Sequence, residues 1–81
     1  MTNTELLMKY IDESGLKLYF IAEKMGLSRF GLAKKINNET EFKASEINML
    51  CEILHIDSLE DRNRIFFAKE VDNNSTDEVS E

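Results

Sequence analysis

Residues 20–37 read FIAEKMGLSRFGLAKKIN, and the way this stretch divides decides the fold. Two apolar-patterned runs flank a short break, GLS, at 26–28. Ala22, Gly26 and Leu32 stand four and then six residues apart. Where one helix turns tightly into the next, the first needs a small residue at the crossing, and Ala22 supplies it. The turn needs a residue that tolerates a left-handed backbone, which is the property of Gly26. The second helix needs an apolar residue facing back into the junction, and Leu32 supplies it. Ile21, Met25, Leu27 and Ile36 add apolar positions that the same arrangement would bury. Ser28 is a favourable N-cap, because its hydroxyl can accept from a free amide of the first turn. The stretch therefore reads as two short helices, 18–25 and about 29–37, joined by a tight turn.

Outward from this pair, 2–14 reads as a helix, with Leu6, Leu7, Tyr10 and Ile11 on one face. Thr2 and Glu5 fit a capping box, and Gly15 fits a left-handed stop. The helix at 18 has a weak start, since Lys17 has no acceptor to cap it. NNETEFK, 37–43, reads as a polar loop anchored by Phe42. Ser45 opens a fourth helix with Ile47, Leu50, Cys51 and Leu54 at helical spacing. Ser58 and Asp61 form a second capping box at the start of a fifth, in which Ile65, Phe66 and Leu59 pack inward. With three Gly and no Pro in 81 residues, the expectation is an all-α, five-helix domain over 1–71. From 72 to 81 the sequence DNNSTDEVSE reads as an acidic, disordered tail. No internal repeat is visible.

The charge is uneven. The chain has ten Lys and Arg against sixteen Asp and Glu, yet 17–43 alone holds six bases (Lys17, Lys24, Arg29, Lys34, Lys35, Lys43) and three acids. A local positive surface is what phosphate binding requires, whatever the net charge. Other functions find little support. Cys51, in an apolar-patterned run, reads as a buried thiol, and His55 as an end-of-helix residue. One Cys and one His fall short of a structural zinc site. There is no Ser-His-Asp set and no phosphate-cradling Gly loop, so no enzyme activity and no cofactor are expected. The start MTNTELLMKY lacks a signal-peptide pattern, and no run is long enough to span a membrane, which gives a cytoplasmic expectation.

LYFIAEKMGLSRFGLAKKIN, together with its context from Leu7 through Leu54, resembles the lambda-repressor-like (Xre/Cro-type) helix-turn-helix family, and in particular small phage and prophage regulators. The similarity runs over roughly 5–69. It implies a five-helix DNA-binding domain whose recognition helix is 29–37. Carried over by motif register, Arg29, Phe30 and Lys34 fall where the family reaches base edges, and Ser28 and Asn37 where it touches the backbone. Lys35 and Lys43 would add to phosphate binding by charge. One position departs from the pattern. The family often has Gln, Ser or Thr where this chain has Leu18, followed by Tyr19 and Phe20.

The resemblance implies a sequence-specific transcriptional regulator, a repressor or Cro-like switch, acting on double-stranded operator DNA as a homodimer. The dimer surface is expected on the fourth and fifth helices, from Ile56, Phe66 and Phe67. The other reading is a protein-interaction module on the same fold, antitoxin-like or an anti-repressor partner, in which Tyr19, Phe20 and Phe30 make the contact. Gly31, costly inside a helix by about 1 kcal/mol relative to Ala, is expected to allow close approach to the preceding helix.

Overall fold

A computed structural model describes residues 1–68. Among these residues the chain forms five helices and no strand: α1 (Thr4–Ser14), α2 (Leu18–Lys24), α3 (Arg29–Ile36), α4 (Ala44–Ile53) and α5 (Leu59–Phe66). The segment 72–81, expected to be disordered, lies outside the described residues.

One core joins all five helices. Leu7 and Ile11 enter it from α1, and Ile21, Ala22 and Met25 from α2 and its C-cap. Leu32 and Ile36 come from α3, Ile47, Leu50, Cys51 and Leu54 from α4 and its cap, and Ile65 and Phe66 from α5. These are the positions that the helical spacing marked. Leu7, Ile21, Leu32, Leu50 and Ile65 are the largest side chains shielded entirely from solvent. Phe42 anchors its loop as expected, with its ring edge-on to Phe66 at 5.5 Å and 84°.

The connections show why the helices stop. Gly15 and Gly26 both adopt left-handed backbone, φ 75° and 73°. At Gly26 the amides of Gly26 and Leu27 return to the carbonyls of Glu23 and Ala22. That closes α2 and turns the chain into α3. Two left-handed turns occur at residues with a side chain. Asn38 (φ 66°) follows α3, and His55 (φ 58°) ends α4, where Ile56 N–H donates to Cys51 C=O at 2.8 Å. A β-carbon in this conformation costs about 1–2 kcal/mol. His55→Gly should therefore raise the unfolding free energy by about 0.5–1 kcal/mol, once glycine's extra freedom in the unfolded chain is counted. Chemical denaturation checks this, and a loss of stability would assign the imidazole a packing role.

Several local expectations shift by a residue or two. Asn3, not Thr2, caps α1, its Oδ1 accepting from Leu6 N–H at 3.1 Å. Thr2 is buried, because its backbone is drawn into a two-way exchange with Asn38. Thr2 N–H donates to Asn38 Oδ1, and Asn38 Nδ2 donates to Thr2 C=O, both at 2.8 Å. Beside this pair, Asn3 N–H donates to Ile65 C=O at 2.7 Å, and Ala68 N–H to Met1 C=O at 3.0 Å. The first residues thus strap the end of α3 to the end of α5.

α4 begins at Ala44 with Lys43 as its N-cap, because Glu46 reaches back to accept from Lys43 N–H at 2.8 Å. Ser58 does cap α5, its Oγ accepting from Asp61 N–H at 3.2 Å. Leu59 points outward, 69% exposed, since the core side of the short α5 is taken by Ile65 and Phe66. Ile56 and Phe66, expected on a dimer surface, are buried in the chain's own core, and of that set only Phe67 is exposed.

Candidate nucleic-acid interface

Burying Leu32 and Ile36 fixes which way α3 faces. At about 100° per residue, Phe30, Lys34 and Asn37 fall on the side away from those two. Ser28 starts the helix from extended backbone, and its Oγ accepts from Gly31 N–H at 2.9 Å. Ser28, Arg29, Phe30 and Asn37 are exposed and Lys34 is partly so. Phe30 stands 71% exposed, an unusual state for a phenyl ring beside a well-filled core. The Lys34 ammonium lies 5.0 Å from the centre of that ring, a cation–π contact worth about 0.5–1 kcal/mol at an exposed site. Each holds the other in place on the helix surface.

The neighbouring surface of α2 repeats this pairing. Lys24 lies 5.4 Å from the ring centre of Phe20, one turn earlier. Tyr19 is 62% exposed, and Lys17 and Lys24 are exposed. Neither Lys24 nor Phe20 was among the DNA-contacting residues expected from the sequence, Phe20 being named only for the protein-interaction reading. Their signal was the same aromatic-to-lysine spacing of four that places Lys34 over Phe30.

The expected residues therefore divide. Ser28, Arg29, Phe30, Lys34 and Asn37 share α3 and its caps. Lys43 is exposed at the start of α4. Lys35, expected to add to phosphate binding, is instead engaged internally. Its Nζ sits 3.1 Å from Glu46 Oε1 and donates to Glu41 C=O at 3.0 Å, with the side chain only 14% exposed. Burial pushes the Glu46 carboxyl up. The Lys43 amide and the Lys35 and Lys43 charges outweigh that and hold it below the usual carboxylate range. The Lys35–Glu46 pair joins α3 to α4 and fixes how the exposed face of α3 is presented.

Gly31 does not serve the junction with α2. The nearest atom to a β-carbon there would be Ser28 Oγ, at 3.1 Å, and nothing from α2 comes within reach. Its missing side chain leaves room for the capping hydroxyl and keeps the α3 surface low beside Phe30. Ala22, buried at the α2–α3 contact, is the small residue of the junction.

Cys51 is buried, and burial pushes its thiol pKa up while Arg62 acts weakly the other way, so the protonated form is favoured. Among the described residues no group of three or more His, Cys, Asp or Glu is arranged to hold a metal ion, and no helix is long and apolar enough to cross a membrane. Comparison with protein-family models, with curated proteins and with solved structures gave no match for this chain.

Proposed function

We propose that this chain is a sequence-specific DNA-binding transcriptional regulator, with α2 and α3 as a helix-turn-helix of the lambda-repressor-like type and α3 as its recognition helix. The observation that carries this reading is the surface of α3, where the exposed Phe30 and Lys34 stand together on the side away from Leu32 and Ile36, and Arg29 is exposed in the first turn. The chemistry suits a major groove. Arg29 can donate two hydrogen bonds to a guanine edge, and Phe30 can pack against a thymine methyl. Lys34 can reach guanine or phosphate, and Lys17, Lys24 and Lys43 supply phosphate contacts around the rim. An eight-residue helix is about 12 Å long, comparable to the width of the groove it would enter. So short a reading head calls for a dimer on a palindromic site, with half-sites about one helical turn apart. Occupying such a site would block polymerase sterically.

Selection of bound duplexes from a random pool tests the proposal directly. Arg29→Ala should relax preference at one base position of each half-site by about 1–3 kcal/mol. Lys34→Ala should weaken all sequences if it meets phosphate, lowering the salt slope by about one. Lys35 is not a clean probe of phosphate contact, because its ion pair with Glu46 makes its removal a stability change. If no salt-dependent duplex binding occurs up to about 0.1 mM, the weak end of non-specific affinity, the DNA reading fails.

A protein-interaction module is favoured by a different observation. Tyr19 and Phe30 are well exposed and Phe20 partly so, which leaves three aromatics uncovered in the first turns of α2 and α3. Under that reading, Tyr19→Ala and Phe20→Ala abolish partner capture, whereas under the DNA reading they change duplex affinity.

A further inference from the structure

The segment that follows the described residues, KEVDNNSTDEVSE at 69–81, holds five acids and one base. The fold fixes where it departs. Ala68 N–H is bonded to Met1 C=O, and the next residue, Thr2, is bonded twice to Asn38, which directly follows the last turn of α3. Ala68, the last described residue, therefore stands beside the C-terminal end of the candidate interface. From there, Lys34 lies within a turn of the end of α3, and Arg29 at its far end, about 12 Å along the axis. Thirteen residues can span up to about 45 Å, so the segment reaches the whole face, including Lys17 and Lys24 on α2.

Charge supplies the second argument. Among the described residues the ion pairs are Lys35 with Glu46, and Arg64 with Glu60 and Asp61. Lys17, Lys24, Arg29, Lys34 and Lys43, the other bases of 17–43, take part in none of them. The acidic sequence 69–81 thus follows directly on Ala68, which stands near the end of α3.

We propose that residues 69–81 of the same chain occupy the basic aromatic face of α2 and α3 when DNA is absent, their carboxylates standing where phosphates would. The purpose of this contact rests on the DNA reading, but the contact itself does not. Tethering gives the segment an effective concentration of order millimolar at the face. Non-specific duplexes, which bind mainly through phosphate, lose most in that competition. A cognate operator keeps its base contacts and displaces the segment. The segment then sharpens selectivity without touching a base.

The test compares the full chain with a full-length variant carrying Glu70→Gln, Asp72→Asn, Asp77→Asn, Glu78→Gln and Glu81→Gln. Without DNA, at about 50 mM salt, the backbone amides of Lys24, Arg29, Phe30 and Lys34 should shift between the two proteins. The difference should vanish near 500 mM, where charges are screened within a few ångströms. A random-sequence duplex should bind the variant about 3–10-fold more tightly at the lower salt, and the gap should close as salt rises. Superimposable amide spectra overturn the proposal. So does an affinity gain without amide shifts, which would mean repulsion at a distance rather than occupancy. Shifts that grow with protein concentration overturn it in favour of a second copy as donor. Amide shifts in a chain that binds no duplex support the contact and overturn the DNA reading alone.

Discussion

Leu32→Ala is expected to lower the unfolding free energy by about 3 kcal/mol, the middle of the range for a fully buried leucine in a close-packed core. Leu32 has no exposure and sits where α3 meets the core. A domain of this size has about 3–10 kcal/mol in total, so the variant loses a third or more of its stability. Its thermal midpoint should fall by more than about 12 °C. Leu59→Ala removes the same atoms from a side chain that is 69% exposed, and it should stay within about 0.5 kcal/mol of the parent. Paired denaturation curves decide the matter. Equal losses in the two variants would mean that α5 is rotated from the orientation described, or that α3 does not seat Leu32 in the core.

Glu46→Gln is expected to cost about 2 kcal/mol near neutral pH, because it leaves the nearly buried Lys35 ammonium without its counter-ion. It should also remove a pH dependence. The Glu46 carboxyl is held below its ordinary value of 4.5 in the folded chain. The folded state thus binds that proton less readily than the unfolded state does. The stabilisation is complete above the unfolded value and is lost as pH falls through the folded one. Denaturant midpoints measured on the acid side of 4.5 should fall more steeply for the parent than for Glu46→Gln. Adding Lys35→Met should restore part of the lost stability, since the unpaired charge is then gone while much of the stem's packing remains. If the double variant is no more stable than Glu46→Gln alone, the pair is not the contact joining α3 to α4.

What the sequence made legible was the part of the fold written in local chemistry. Gly15 and Gly26 announce left-handed stops, Ser28 and Ser58 announce caps, and the spacing of Leu32 and Ile36 announces an inward face. Each depends on neighbours within a turn or so, and each is found in place. Where a distant partner decides, the reading drifts. Thr2 looked like a cap until Asn38, 36 residues away, took its backbone. Lys34 and Lys35 are adjacent and identical in type, yet one lies over Phe30 and the other is held by Glu46 on the next helix. Nothing within four residues separates them except the side of the helix, and the relevant acid lies eleven positions on. Ile56 and Phe66 looked like surplus apolar surface because a small domain's core volume cannot be judged before its helices are packed. The outward placing of Phe30 and Lys34 was legible from register alone, whereas the pairing of Lys24 with Phe20 joined the candidate interface only when α2 was seen.

The strap of Met1 to Asn3 across the end of α3 has a mechanical consequence. Chain ends are ordinarily the first parts of a domain to come loose. Here, loosening would free Asn38 from both bonds to Thr2 and release the far end of α3 from α5. α3 is anchored at that end by a distant piece of chain, along its length by Leu32, Ile36 and the Lys35–Glu46 pair, and at its start by the tight turn through Gly26 and Leu27. The first of these anchors depends on a chain end, so the residues nearest the N-terminus set how firmly the last turn of the candidate interface is held.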